Sequence, residues 1–500
     1  MRTMRSIGDH VVVIGAGLSG LSAALHLVGR GKAVTVVERC GFPGGRMGRL
    51  DIRGYRIDTG PTVLTMPDIL EEAFAAAGSS MTDNLDLARV DPAYRTTFAD
   101  GSTFDVHTDS AAMAAAIEDF AGPEQAAGYE KLRRWLTELY RLEFDSFIAA
   151  NFSSPLSLLT PKLARLAAIG GFRRWEPMVR HFITDERLQR IFTFQALYAG
   201  LPAHKALAAY AVIAYMDTVS GVLFPRGGMR AVPDALAKVA SDAGVRFVYQ
   251  STVTSLERSG SRVTAVRTAT GERIACDAVI LTTELPVTYQ LLGHTPRRLI
   301  PIRPAPSAFL VHVGCGSGTS ALAHHNISFG RSWTRAFDDI IRAGVPMKDP
   351  SLLVTRPTAG DPSLAPPGRE LLYVLVPAPN QDVGVIDWAS EGDAYAQAIL
   401  AVCEERLVPG LTRDAEVLDV VSPADWAKQG MLAGSPFALA HTFAQTGPFR
   451  PANTVRGMDN AVLAGGSTVP GVGVPTALLS GRLAADRITG VPTSPRVGRH

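Results

Sequence analysis

The chain carries a run of four apolar residues, Val11 to Ile14, with no polar alternation. A continuous β-branched run of this kind reads as a strand buried on both faces. Gly15-Ala16-Gly17-Leu18-Ser19-Gly20 follows, and then Leu21, Ala24, Leu25 and Val28 recur at helical spacing. Gly31 stops that pattern, and Ala33 to Val37 makes a second apolar run that closes on Glu38. The pattern predicts one βαβ unit of about 30 residues. From about residue 85 to 225 helical periodicity dominates, over 111–120, 129–147 and 204–216. A helix over 229–243, with Pro233 tolerated in its first turn, then leads into short strands over 245–249, 253–258, 262–268, 273–275 and 278–281. Residues 290–440 mix strands, such as 371–376, with a helix near 394–407, and the Pro/Gly-rich stretch 358–369 reads as a surface loop. Residues 460–488 read as strand, glycine-rich loop and helix.

The nucleotide-type pieces stand at both ends and in the middle, so the expected architecture is α/β with a Rossmann-type domain discontinuous in sequence. It would comprise residues 1–85, 225–288 and 445–500. Residues 289–444 would form a mixed-sheet substrate domain, and 86–224 a helical subdomain. A length of 500 residues suits about three domains. Hydrophobic residues are 46% and charged residues 19%, which excludes a disordered chain. A net charge of +2 gives no field that would favour nucleic acid. Cys40, Cys276, Cys315 and Cys403 form no C-x-x-C pair, so neither a zinc nor a disulfide framework is expected, and a reducing compartment suits them. The polar start runs into too short an apolar stretch for a signal peptide. The longest apolar run, 206–216, falls below the roughly 18 residues of a membrane span. The expectation is a cytoplasmic protein, attached to a membrane at most from one side.

Gly15, Gly17, Gly20 and Glu38 carry the first chemistry. Gly15 permits the tight strand-to-helix turn, Gly17 lets the backbone approach a pyrophosphate, and Gly20 lets helix and strand pack closely. The helix start offers unpaired N–H groups, and Glu38 is placed to accept bonds from ribose hydroxyls. Gly44-Gly45-Arg46 suggests a second backbone approach to the same ligand, with an arginine fork for a diphosphate, and so favours FAD over NAD. Asp58-Thr59-Gly60-Pro61-Thr62 reads either as a turn lining the flavin or as an ordinary Asx turn. The segment 461–476 is strand, glycine loop and a helix start with Pro475 in its first turn. Read alone it is a Gly/Pro loop; paired with the first motif it is the other wall of a cofactor site, whose helix dipole would favour charge on a reduced flavin.

Val11 to Glu38 followed by Gly44-Gly45-Arg46 resembles the FAD-binding start of the amine oxidase and carotenoid desaturase superfamily. Phe224-Pro225-Arg226-Gly227-Gly228-Met229, the run Gln445 to Asn453, and Gly465 to Pro475 are similar to bacterial and fungal phytoene desaturases, as are 192–216 and His324-His325-Asn326. The similarity spans nearly the whole chain. It implies FAD held by Gly15, Gly17, Gly20, Glu38, Gly45 and Arg46, with Gly60, Pro61 and Thr62 along the ring. Val253 would touch the adenine side, and Gly466, Thr468, Gly473 and Val474 the ribityl chain and flavin. Val472 interrupts the family's usual glycine run.

The resemblance implies desaturation of a linear carotenoid such as phytoene: hydride transfer to flavin N5, then proton loss from the neighbouring carbon, in an apolar tunnel with few titratable groups. Arg141 and Asp145, at i and i+4, read as a pair near the tunnel or as a surface ion pair. His324-His325 reads as a loop, and no metal set is expected. Other readings are a redox-neutral carotenoid isomerase, another flavin oxidase, or a prenyl-lipid carrier on the same scaffold. The substrate lives in a bilayer. Residues 152–182 interleave Lys162, Arg165, Arg173, Arg174 and Arg180 with Leu156, Leu158, Leu159, Leu163, Leu166, Ile169, Phe172 and Trp175. Such a segment suits a peripheral membrane surface, or an amphipathic helix pair packed on the core.

Overall fold

The computed structural model describes residues 9–152, 158–298, 300–316 and 318–490. Five short apolar runs form one parallel sheet in the order Ala461–Leu463, Ala278–Leu281, His10–Ile14, Ala33–Val37, Arg246–Val248. Val13 stands opposite Ile280 on one side and Val36 on the other. Val11, Val13 and Val36 pack with helices Leu18–Val28, Ala231–Asp242 and Val474–Thr489. Val12, Ile14 and Val37 face the opposite way, onto the antiparallel strands Val253–Ser259, Arg262–Thr268 and Arg273–Ala275. Both faces are covered, which is why these runs show no polar alternation. The α/β reading holds: the sheet is built from the start, the middle and the end of the described chain.

A second, seven-stranded mixed sheet runs in the order Glu416–Val421, Ser307–Cys315, Glu370–Ala378, Leu352–Thr355, His325–Ser328, Tyr94–Thr97, Thr103–Val106. One face sends Phe309, Val311, Val313, Val374 and Val376 into a core with Ile399, Leu400 and Cys403 of helix Trp388–Arg406. By the two-residue period, the other face carries His312, Tyr373, Leu375, Leu353, Thr355, His325, Ile327 and Tyr94. That face looks toward the first domain, where Thr355 Oγ1 meets Thr62 Oγ1 at 3.2 Å.

Several sequence expectations need correction. The span 86–224 is not purely helical, because Tyr94–Thr97 and Thr103–Val106 join the seven-stranded sheet. Their alternation buries Tyr94, Thr96, Phe104 and Val106, a period-2 signal hidden among helices. The expected helix over 204–216 is broken into a 3-10 turn, Ala208–Ala211, a short helix, Val212–Tyr215, and a π turn, Met216–Ser220. The N–H groups of Ala208 and Ala209 donate to the carbonyls of Arg173 and Gly171, each at 2.8 Å, so the start of the segment serves another element. Residues 358–369 are not a free surface loop: Thr358, Asp361 and Leu364 are buried, and the Asp361 carboxylate accepts the Gly227 N–H at 2.7 Å. His325 begins a buried strand rather than lying in a loop.

Candidate FAD cleft and apolar cavity

Helix Leu18–Val28 starts beyond the carboxyl end of its strand, with Gly17 as N-cap and no side-chain cap. Its first N–H groups are therefore open to a ligand. Gly15 holds φ +105, a conformation L side chains rarely adopt, and a Cβ on Gly20 would fall 2.0 Å from the Gly15 carbonyl oxygen. The Gly44 N–H donates to the Ala16 carbonyl at 2.8 Å. A Cβ on Gly45 would lie 3.2 Å from Gly17 Cα, and one on Gly60 would lie 1.9 Å from the Arg46 carbonyl oxygen. Gly17, Gly45 and Gly60 are thus brought together into a groove walled by backbone.

Glu38 is buried just past the end of Ala33–Val37, and its carboxylate accepts the N–H groups of Ala16 at 2.7 Å and Cys40 at 2.8 Å. The Ser251 N–H donates to the Glu38 carbonyl at 2.9 Å. This contact brings Val253, clustered with Val37 and Val248, beside the acid's strand. Arg46 Nη2 lies 2.7 Å from Glu284 Oε1, while Arg46 Nε is buried with no hydrogen-bond partner among the described residues. Ser467 Oγ donates to Glu284 Oε2 at 3.3 Å, so three distant segments converge on one spot.

The C-terminal loop closes the cleft. Its Gly465 N–H donates to Ser480 Oγ at 3.0 Å, and Ser480 Oγ donates to the Val469 carbonyl at 2.8 Å. A Cβ on Gly466 would sit 3.4 Å from Val472 Cα, and Thr468 is buried. Helix Val474–Thr489 begins after Gly473, again without a side-chain cap and with Pro475 in the first turn. The two uncapped helix starts therefore lie at the same edge of one parallel sheet.

Arg450 is the residue that reading the sequence missed as a part of this wall. It is fully buried, and its Nε and Nη2 donate to the carbonyls of Thr468 at 2.8 Å and Gly466 at 2.7 Å. Burial pulls its pKa down to about 10, so it stays charged at neutral pH. The available signal was an arginine set between Phe449 and Pro451 in an otherwise uncharged turn.

Asp58 does not close a local Asx turn; it reaches across to another segment. Its carboxylate accepts the N–H groups of Met229 at 2.7 Å and Arg230 at 3.1 Å, and burial lifts its pKa to about 6. Pro61 is half-buried, and Thr62 is buried against Thr355. Arg141 and Asp145 do not pair. Helix Pro123–Glu143 gives way to a π turn, Phe144–Ile148, which breaks the i, i+4 geometry; Arg141 is exposed and Asp145 instead meets Lys162 at 3.9 Å.

On the face of the seven-stranded sheet that looks toward the first domain lies a small cavity of about 50 Å³. Phe194, Leu197, Tyr198, Ile327, Phe329, Trp333, Leu353, Leu375 and Phe437 line it, and none of its lining residues is charged. The groove, the uncapped helix starts and the unpartnered Arg46 Nε fit a dinucleotide diphosphate, and Glu38 fits a ribose.

The pattern of flavin containing amine oxidoreductases matches residues 18–489. The chain belongs to that family, and within it to the carotenoid desaturases. It is 60% identical over 501 residues to the phytoene dehydrogenase of Streptomyces griseus, covering 100% of this chain and 98% of that protein. It is 37% identical over 505 residues to the zeta-carotene-forming phytoene desaturase of Myxococcus xanthus, covering 98% and 96%. An engineered putrescine oxidase shares the fold at a TM-score of 0.63 and 16% identity, over 96% of this chain and 99% of that one. The cofactor is FAD and the chain is an oxidoreductase that depends on it. Among the described residues no helix is long and apolar enough to cross a membrane.

Proposed function

We propose that this chain desaturates phytoene, or a closely related linear carotenoid, toward a longer conjugated polyene. The observation that carries this reading is the uncharged, mostly aromatic and aliphatic cavity on the sheet face that looks toward the FAD cleft: a hydrocarbon has no charge to pair, and the wall carries none. The names of the relatives at 60% and 37% identity support the same substrate. When bound, FAD supplies a two-electron hydride acceptor. Glu38 and Arg46 hold the dinucleotide, and Arg450 fixes the closing loop through its carbonyls. The aromatic wall excludes water, which would otherwise trap a cation on the polyene.

Residues 158–182 form the docking face in this proposal. Leu159 and Phe172 project, at 74% and 44% exposure, beside the exposed Lys162, Arg165, Arg173, Arg174 and Arg180. Cations at anionic headgroups with apolar side chains below them suit a peripheral membrane contact. Leu166 and Trp175 are buried and belong to the core instead, and Leu156 lies outside the described residues. The experiment is incubation of the FAD-loaded protein with phytoene in liposomes, with and without oxygen. Products with more conjugated double bonds are expected; unchanged phytoene, or isomers that have lost no hydrogen, would overturn the reading.

A further inference from the structure

Desaturation releases a proton as well as a hydride, and the face of the seven-stranded sheet that looks toward the first domain carries a buried set of groups for it. Asp217 sits in the π turn Met216–Ser220 and is buried. The Tyr94 hydroxyl, from strand Tyr94–Thr97, and the Gln195 side chain, from the turn Phe194–Leu197, lie against its carboxyl. Tyr198, which lines the apolar cavity, also faces the carboxyl. The Asp217 Oδ2, Tyr94 hydroxyl and Gln195 Oε1 atoms are all buried and gathered at one place, close enough for the tyrosine and the amide to act on the carboxyl, yet none is aligned in a regular hydrogen bond. Unmatched buried polar atoms in one place demand a reason, since each costs free energy in a dry interior.

The set is continuous with the cofactor loop. The ring of Tyr94 lies 5.6 Å from the ring of His325. His325 Nδ1 meets Thr355 Oγ1 at 3.0 Å, and Thr355 Oγ1 donates to Thr62 Oγ1 at 3.2 Å. Two residues further along the same strands, Ile327 and Leu353 line the cavity. The polar string therefore edges the apolar wall and ends at the segment expected along the flavin.

We propose that Asp217 is the terminal acceptor of the proton lost by the substrate, reached through the hydroxyls of Tyr198 and Tyr94. The C–H bond on the carbon next to the hydride donor breaks, and its electron pair becomes the new C=C bond. The proton moves to a tyrosine oxygen as that hydroxyl's own proton moves on toward the carboxylate. Asp217 ends neutral, and the reaction needs no oxidant beyond the FAD already assigned. The titratable groups facing the carboxyl are Tyr94 and Tyr198; Arg133 donates to the Tyr129 hydroxyl at 3.0 Å and to the neighbouring Thr218 carbonyl at 3.4 Å. Burial lifts the Asp217 pKa to about 7, where a carboxylate is a useful base yet readily takes a proton. His325 is held neutral by burial, so it adds no cation that would lower that value.

This inference rests on the desaturase reading, and the test separates the two. In the holoenzyme, an infrared titration should show a protonated-carboxyl band lost as pH rises through about 7, and absent from Asp217→Asn. With phytoene in liposomes, the wild-type rate should rise with pH along a limb near the same value. Asp217→Asn should retain FAD but lose at least a hundredfold in rate, together with that limb. Tyr94→Phe, which removes one atom, should fold normally and lose about tenfold, less than the roughly 10²–10⁴-fold of a full general base because the carboxylate remains. A band that does not titrate, or Asp217→Asn and Tyr94→Phe with the wild-type rate and pH profile, overturns the assignment alone. A wild-type holoenzyme that leaves phytoene unchanged overturns the desaturase reading, and the assignment with it.

Discussion

Gly481 of the last helix touches Ser19 of the first backbone to backbone: a Cβ at 481 would lie 2.2 Å from the Ser19 carbonyl oxygen and 2.8 Å from the Ala23 N. Ser22 Oγ adds a bond to the Leu478 carbonyl at 2.7 Å. The two helices whose open starts flank the cofactor are therefore locked at the closest spacing a backbone allows. Gly481→Ala should force them apart, at a cost of about 1–3 kcal/mol. The expected outcome is a lower thermal midpoint and FAD lost on gel filtration, while Gly392→Ala, at a helical glycine with open space where a Cβ would go, leaves the bound FAD unchanged. A Gly481→Ala protein that keeps its full complement of FAD would contradict this account.

Arg450 tests the opposite wall. Arg450→Met keeps much of the side-chain length but leaves the Gly466 and Thr468 carbonyls without their donors, each an unsatisfied group worth about 1–3 kcal/mol. FAD content per chain should fall sharply. Arg450→Lys keeps the charge but cannot reach both carbonyls with one ammonium, so its FAD content should lie between. The flavin absorbance of the purified variants, against their protein concentration, reads this directly.

These two walls differed in how far the sequence exposed them. Gly15, Gly17, Gly20 and Glu38 are readable because a dinucleotide demands fixed spacings within one βαβ unit. The parallel strands are readable too, since burial on both faces leaves a continuous apolar run. Arg450 binds loop carbonyls that lie 16 and 18 residues away, a relation no local period records. Strands Tyr94–Thr97 and Thr103–Val106 pass unnoticed because each shows only two inward residues before a turn. The Arg141–Asp145 pair fails because helical spacing was assumed through a π turn, and Asp217 escapes notice because nothing in sequence links it to Tyr94, which is 123 positions away.

Asp58 gives a stability signature with a definite sign. Its carboxyl titrates near 6 in the fold against the usual 3.8, because burial outweighs its two backbone bonds. The folded state therefore binds more protons than the unfolded chain between about pH 4 and 6. The stabilisation tied to this group is fully present below about pH 4 and is lost as pH rises through 6. In Asp58→Asn that dependence disappears, while one side-chain oxygen still accepts from the Met229–Arg230 turn. The difference in unfolding free energy between wild type and variant, measured by urea at pH 4.5 and 7.5, should change by about 2 kcal/mol in the variant's favour at the higher pH. A difference that does not vary with pH would show that the carboxyl titrates normally.

The proposed docking face separates projecting side chains from those of the same segment that hold the core. Leu159 and Phe172 are exposed, whereas Leu166, four positions after Lys162, is buried with Trp175 and Trp135 in the main core. Leu159→Ser with Phe172→Ser should leave the thermal midpoint unchanged, since exposed apolar side chains contribute little to folding. Co-sedimentation with anionic liposomes should fall several-fold, because each buried methylene is worth about 0.8 kcal/mol of membrane affinity. Arg173→Glu with Arg174→Glu should abolish the dependence on anionic lipid while leaving turnover of detergent-solubilised phytoene intact. Salt sharpens the distinction: the headgroup contribution is screened within a Debye length of about 8 Å at physiological ionic strength, so wild-type binding should weaken as salt rises, and the serine variant's residual binding, which rests on the cations alone, should fall further. Wild-type protein that ignores anionic liposomes at low salt would refute the docking face, and the substrate would then have to arrive by another route.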